Sequence, residues 1–303
     1  MERRGFIKKL GLGSAALSAA GTLTFPAFAQ QKKAAPFNMD FAPHFGMFKN
    51  HAPGGFVDEL KFMADQGFRS LEDNGMLGRS VADQELIAKT MSDLGMRMGV
   101  FVVDGGDNWK VSLTTGKQEF MDKFLDTCRR SVEVAKRVNA KWMTVVPGYF
   151  ERNLPLGVQT GNVIEALKRG AEIFEPHGLT MVLEPLSDNP DLFLRHADQS
   201  YMICKAVGSP SCKILYDIYH MQRNEGNLIA TMDKTWSEIA YIQIGDNPGR
   251  KEPGTGEINY SNVFKWIHER GFTGVMGMEH GNAKPGKEGE LALIEAYRKV
   301  DIA

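Results

Sequence analysis

The chain has 303 residues, with 36 Lys and Arg against 37 Asp and Glu, a formal net charge of −1. A balance this close to neutral argues against a nucleic-acid backbone as partner. Three cysteines, Cys128, Cys204 and Cys212, fit no metal-ligand spacing and leave one over if two pair, so no disulfide framework is implied.

Residues 1–29 read as a cleaved export signal. Arg3 and Arg4 precede Phe6 and Lys8, a mildly apolar stretch follows over 10–25, and Ala27-Phe28-Ala29 gives the small-x-small pattern of a cleavage site. The arginine pair points to a twin-arginine signal. The corresponding export machinery is then an expected partner, and the periplasm or the cell exterior the expected location. As a membrane anchor the stretch is too short and too rich in Gly, Ser and Thr, because a spanning helix needs about 20 apolar residues. Residues 30–303 remain, a usual size for one (β/α)8 barrel of about 250 residues.

From Phe37 onward, short apolar runs alternate with amphipathic ones. Strands are predicted at 37–41, 68–72, 97–103 and 142–146, then in four runs that reach Glu184, Asp217, Gln243 and Glu279. Helices are predicted between them at 56–66, 82–94, 117–138, 163–176, 197–207, 226–235, 260–270 and 288–300. Gly67, Gly95 and Gly271 stand just past three of these, where a left-handed C-cap is expected. Strict alternation argues for an α/β fold with a parallel sheet, and eight units favour closure into one (β/α)8 TIM barrel. The rival, an open doubly wound sheet, usually carries a glycine-rich phosphate loop after its first strand, and His44-Phe-Gly-Met-Phe-Lys is not one. No Pro/Ser-rich linker interrupts the series, so 30–303 reads as a single catalytic domain.

The ends of the last four strands carry the chemistry. Strand C-termini in such a barrel converge on one mouth, and here they bring Glu184, Asp217, Gln243 and Glu279 together. A single carboxylate there is as well explained by helix capping or an ion pair; four oxygen donors on successive strands favour a metal site. Gln243 is the softest member, since an amide also bonds to backbone. An all-oxygen set suits Mg²⁺ or Mn²⁺ better than Zn²⁺. Glu72 closes the second strand and is a candidate for the mouth, although pairing with a basic side chain explains it equally. Asp217 fixes His220 nearby; His44 and His280 have no such tie. Trp109, in the loop after the third strand, has packing as its ordinary role. The loop running from Gly245 to Tyr260 supplies Arg250, Glu252 and Glu257 directly beyond Gln243, and its length and position suit a cover over a substrate.

Tyr216-Asp-Ile-Tyr-His-Met-Gln-Arg-Asn-Glu-Gly and Ile242-Gln-Ile-Gly-Asp-Asn-Pro-Gly-Arg-Lys-Glu-Pro-Gly-Thr-Gly-Glu-Ile-Asn-Tyr closely resemble the hydroxypyruvate isomerase family, within the xylose-isomerase-like TIM barrels. The resemblance implies a divalent metal on Glu184, Asp217, Gln243 and Glu279, with Glu184 and Glu279 also serving as acid and base. His220, Glu72, Arg250 and Glu257 are the expected contacts to substrate. The implied reaction is isomerisation of a small α-hydroxycarbonyl compound through an enediolate, as in hydroxypyruvate to 2-hydroxy-3-oxopropanoate. The chain departs from the family pattern where His280-Gly281 follow Glu279 and where Leu186-Ser187-Asp188 follow Pro185. Other readings stay open: an exported keto-sugar epimerase or lyase on the same barrel, or a non-catalytic periplasmic sugar-binding protein. A zinc-cluster DNA-repair enzyme on this barrel needs several His ligands, and the seven His here do not fall on the right strands. The sequence leaves room for a homo-oligomer.

Overall fold

In the computed structural model, residues 33–302 are described, so the expected export signal lies outside the described residues. The strands are β1 (Phe41–Ala42), β2 (Ser70–Leu71), β3 (Arg97–Met98), β4 (Val100–Val102), β5 (Trp142–Val145), β6 (Thr180–Leu183), β7 (Cys212–Asp217), β8 (Ile239–Gln243) and β9 (Met276–Gly277). The helices are α1 (Phe56–Asp65), α2 (Val81–Leu94), α3 (Gln118–Val138), α4 (Leu156–Phe174), α5 (Ala197–Val207), α6 (Ile218–Asn224), α7 (Leu228–Thr235), α8 (Tyr260–Glu269) and α9 (Gly286–Val300). Every strand pair is parallel, in the order β1-β9-β8-β7-β6-β5-β4 with β2-β3 as a separate pair. A bridge between His44 and Glu72 joins β1 to β2, and Gly99 carries the chain from β3 into β4. The ring therefore closes as the expected eight-unit barrel, with its third strand in two halves. Only glycine fits at this junction, because a Cβ at Gly99 would overlap the Tyr241 hydroxyl.

Two apolar layers hold the ring. Between strands and helices lies the larger one, including Phe41, Phe101, Met181, Ile214 and Phe264; each fully buried side chain of this kind contributes about 1.5–3 kcal/mol. Inside the ring Ala42, Val100, Val182, Leu215, Tyr241 and Val275 form a second, smaller cluster. Strand side chains alternate faces with a period of two. Stepping two residues from the inner layer reaches Glu184 after Val182, Asp217 after Leu215 and Gln243 after Tyr241. Val275 leads likewise to Gly277 and then Glu279. The same alternation that fills the barrel thus delivers the polar groups to its C-terminal mouth.

Three expectations need correction. The first strand pairs only at 41–42, later than 37–41. Helix α4 begins at Leu156 rather than 163, started by Pro155 and by Gln159, whose amide bonds Glu151 O at 2.9 Å and Leu154 O at 2.7 Å. Its Gly157 and Gly161 weaken local helix preference, and packing on α3 overrides it. Helix α6 was not expected at all. Asp217 caps it, accepting from Tyr219 N at 2.7 Å and His220 N at 3.3 Å. Among the described residues, no helix is long and apolar enough to cross a membrane.

Candidate active site

Glu184, Asp217, His220 and Glu279 bring one ligand atom each within 4.8 Å of one another. That span is near the separation of about 4.2 Å between opposite donors of an octahedral Mg²⁺. Glu184 follows β6 directly and is 6% exposed, and Asp217 ends β7 at 1%. Gln243 ends β8 in register with Asp217 and is wholly buried. Two buried oxygens, Glu184 Oε1 and Gln243 Oε1, have no hydrogen-bond partner. Orphaned acceptors of this kind are costly, and a hard cation satisfies both, so the residues fit a divalent metal.

Electrostatics in the cluster follow from burial and crowding. Burial pushes the Glu184 carboxyl well above its ordinary range, and the negative charge of Asp217 adds to this. Glu279 is raised in the same way, by burial and then by Glu184. Asp217 goes the other way: burial would raise it, but charge interactions with His220 and Arg250 and the Tyr219 N–H outweigh that and hold it low. Burial also pushes the His220 imidazole down, toward the neutral ring. Its Nδ1 meets the Ser187 backbone N–H at 3.2 Å and Ser187 Oγ at 2.8 Å, and its Nε2 faces the cluster 3.1 Å from Arg250 Nη2.

Arg250 enters the same space from the loop after β8. Its Nη2 donates to Asp217 Oδ2 at 2.9 Å and to Glu279 Oε2 at 2.7 Å, and its Nε to Glu279 O at 3.1 Å. The guanidinium lies 4.9 Å from the Tyr219 ring centroid. The loop holding it is built around the buried Asp246, which accepts from Asn247 N, Gly254 N, Gly256 N and Ile258 N at 2.8–3.1 Å. Lys251 O closes it by accepting from Asp246 N at 2.8 Å.

The mouth opens as a cavity of about 340 Å³. Its lining includes Glu184, His220, Arg250 and Glu279 together with Asp104, Asn108, Trp109 and Asp188, and Asp188 Oδ2 lies 3.6 Å from His220 Nε2. Asn74, another contributor to the lining, donates to Glu279 Oε1 at 2.9 Å.

Glu72, expected among the substrate contacts, stands elsewhere. It is 1% exposed and lies below Gln243, accepting from Gln243 Nε2 at 3.0 Å and Tyr241 OH at 2.9 Å. Gly277 makes room for it, since a Cβ there would overlap its carboxylate. Burial raises the Glu72 carboxyl to about 7 against the pull of those two hydrogen bonds. Glu257 is also outside the cavity: it is exposed and accepts from Gln222 Nε2 at 3.2 Å and Asn247 Nδ2 at 2.5 Å. Conversely Trp109, whose expected role was packing, is 52% exposed on the cavity wall. Asn74 and Asp104 went unnoticed in the sequence, and Asp188 stood there only within a departure from the family pattern. The first two stand two residues past Glu72 and Val102 on the inward face, a spacing that could have found them.

Residues 60–300 match a family model described as a xylose isomerase-like TIM barrel. Hydroxypyruvate isomerase from Escherichia coli K12 is 31% identical over 190 residues, covering 62% of this chain and 72% of that protein. The 2-oxo-tetronate isomerase of Cupriavidus necator is 28% identical over 258 residues, 83% of this chain and 95% of that one. Among solved structures, an AP endonuclease of family 2 from Brucella melitensis superposes with a TM-score of 0.73 at 22% identity, over 86% of this chain and 99% of that chain. The 3-keto-D-glucoside 4-epimerase of E. coli superposes with a TM-score of 0.71 at 18% identity, over 86% and 98% respectively. At these identities the two structures speak for the fold alone.

Proposed function

Because the chain belongs to the xylose isomerase-like TIM barrel family, we propose that this enzyme is a divalent-metal-dependent isomerase of a small α-hydroxycarbonyl compound, of the kind that interconverts hydroxypyruvate and 2-hydroxy-3-oxopropanoate. The observation that carries the reading is the convergence of three carboxylates with two orphaned oxygens, those of Glu184 and Gln243, at the C-terminal mouth of the barrel. The names of the relatives from E. coli and C. necator support it.

Glu184, Asp217, Gln243 and Glu279 would hold the ion, and their oxygen donors favour Mg²⁺ or Mn²⁺. When bound, it polarises the substrate carbonyl and stabilises negative charge on the oxygens. Glu184 and Glu279 flank the substrate. One carboxylate takes the proton from the hydroxyl-bearing carbon, giving an enediolate, and the other delivers a proton to the neighbouring carbon. No oxidant is needed, because carbonyl and alcohol exchange places. His220, with Nε2 facing the cluster, is placed to orient a substrate oxygen. Arg250, the one cationic side chain on the cavity wall among the described residues, receives the carboxylate of a 2-oxo acid.

A keto-sugar epimerase using the same residues is the second reading. The presence of Asp104, Trp109 and Asp188 in the cavity lining favours it, since two carboxylates suit hydroxyl groups better than a second anion. We further propose that the protein is exported by the twin-arginine route, on the strength of Arg3-Arg4 and Ala27-Phe28-Ala29; replacing both arginines by Lys should retain it in the cytoplasm.

The test of the main reading is to strip the purified 30–303 protein with a chelator and assay hydroxypyruvate in deuterated water. Turnover with solvent deuterium at carbon should vanish and return with Mg²⁺ or Mn²⁺. Full turnover by the metal-free protein would overturn the reading.

A further inference from the structure

We propose that Asn74 is a positioning residue for Glu279, holding Oε1 clear of the metal cluster so that Glu279 faces the ion through Oε2 alone. Under the isomerase reading of the same site, on which this rests, the two oxygens of one carboxylate then divide the work. Oε2 is the ligand, and Oε1 is kept for the proton.

The two oxygens have different neighbours. Oε2 accepts from Arg250 Nη2 at 2.7 Å, and that same nitrogen donates to Asp217 Oδ2 at 2.9 Å and lies 3.1 Å from His220 Nε2. Oε2 therefore stands where the cluster's ligand atoms converge. Oε1 accepts instead from Asn74 Nδ2, at 2.9 Å. Exchanging the two ends of the amide would set Oδ1 against an ionised carboxylate, and both groups only accept, so the N–H faces Glu279.

The rest of Asn74 is arranged around that one bond. Its Oδ1 is buried with no hydrogen-bond partner, which is destabilising and would be avoided by an apolar side chain of the same shape. The bond to Glu279 is the side chain's one hydrogen bond among the described residues, and it is what sets the amide apart from such a replacement. The turn beneath is fixed. Asp73, itself buried, pairs with Arg79 and accepts from Gly75 N at 3.3 Å. The Arg79 guanidinium lies 4.5 Å from the Phe56 ring centroid, and Asn74 O accepts from Val102 N at 3.2 Å. A donor held this firmly fixes the carboxylate it meets.

An ionised carboxylate offers about four lone-pair sites, so Oε1 keeps one free after accepting the Asn74 N–H. In the proposed reaction the proton leaving or reaching a substrate carbon is exchanged at that free lone pair, while the electrons of the broken C–H bond stay on the substrate as the enediolate. Were both oxygens drawn to the ion, neither would be left as a base.

Asn74→Ala and Asn74→Asp test this, the second keeping the shape without the N–H. With Oε1 released, Mn²⁺ affinity of the metal-stripped protein by calorimetry should hold or rise. On hydroxypyruvate, kcat should fall by about 10–100-fold, the usual effect of losing a group that orients a ligand, with KM within about threefold. The visible spectrum of the Co²⁺-loaded protein should shift in both variants, as a second carboxylate oxygen reaches the metal. A residue that only supported the fold would lower affinity and kcat together. That result, an unshifted spectrum, or wild-type kcat in either variant would overturn the positioning role and leave the isomerase reading intact. If affinity and spectrum behave as expected while the wild type turns over neither hydroxypyruvate nor 2-oxo-tetronate, the isomerase reading fails and the hold on Glu279 stands.

Discussion

Arg250 Nη2 lies 2.9 Å from Asp217 Oδ2 and 2.7 Å from Glu279 Oε2, so a guanidinium occupies the point where the cluster's negative charge converges. Burial disfavours its charge, and the neighbouring carboxylates, Asp217 first, more than offset that. A divalent ion and this guanidinium therefore compete for the same oxygens. Arg250→Gln should bind Mn²⁺ more tightly by about tenfold or more, since each charge-assisted bond removed was worth about 1.5–3 kcal/mol. Calorimetry on the metal-stripped protein reads this directly, and unchanged or weaker affinity would show that the two cations do not compete.

Glu184 and Glu279 are expected to move protons as well as hold metal. Glu184→Gln and Glu279→Gln keep an oxygen donor and remove the base. Turnover should fall by about two to four powers of ten, with Mn²⁺ affinity less affected than in Glu→Ala. Near-normal turnover in both amides would place the proton transfer on other groups.

Glu72 acts through Gln243. By accepting from Gln243 Nε2 it turns the amide oxygen away from itself and leaves Oε1 as the free acceptor. Glu72→Ala removes that restraint and the Tyr241 bond together. Metal affinity should drop by about 10–100-fold, as for other partners that orient a ligand, and Glu72→Gln should recover part of it. An unchanged affinity in Glu72→Ala would mean that packing alone sets the amide.

A pH dependence of stability comes from Glu290 on α9. Its carboxylate accepts from Asn50 N and Nδ2, each at 2.7 Å, from His51 N at 3.0 Å and from His51 Nδ1 at 2.5 Å. Burial alone would raise its pKa, but these bonds, led by Asn50 N, hold it below 4.5. A depressed carboxylate stabilises the fold fully above its unfolded value and loses that contribution as pH falls through its folded value. Glu290→Gln should therefore be less stable than wild type at pH 7, by about 1.5–3 kcal/mol for bonds to a charged group. The gap should close progressively below pH 4.5. Urea midpoints across pH 3–7 measure it, and a constant gap would remove the ionic contribution.

The barrel was legible because its periodicity is redundant: eight alternations agree, and shifting one strand boundary, as at 37–41, leaves the topology intact. Glu184, Asp217, Gln243 and Glu279 were legible because each ends an apolar run. Glu72 shares that signature yet lies below the mouth, since a period of two fixes the face but not the depth. Gly277 decides the depth by leaving space for its carboxylate. Trp109 and Asp188 sit on loops with no period to read, and only the closed ring shows that both line the cavity. Helix α6 was missed because Asp217 serves two purposes, ending β7 and capping the helix, and the sequence displayed only the first.

The four backbone N–H groups gathered on Asp246 give the loop from Gly245 to Tyr260 a thermodynamic character of its own. Ordering a residue's backbone costs about 1–2 kcal/mol, and here that cost is met during folding, before any ligand arrives. The loop behaves as a fixed collar, not a shutter that closes on its guest. Under the proposed function, Arg250 would meet its ligand already aimed, at little further entropic expense. Substrate release under that function should then be governed by its contacts in the mouth, not by opening of the loop.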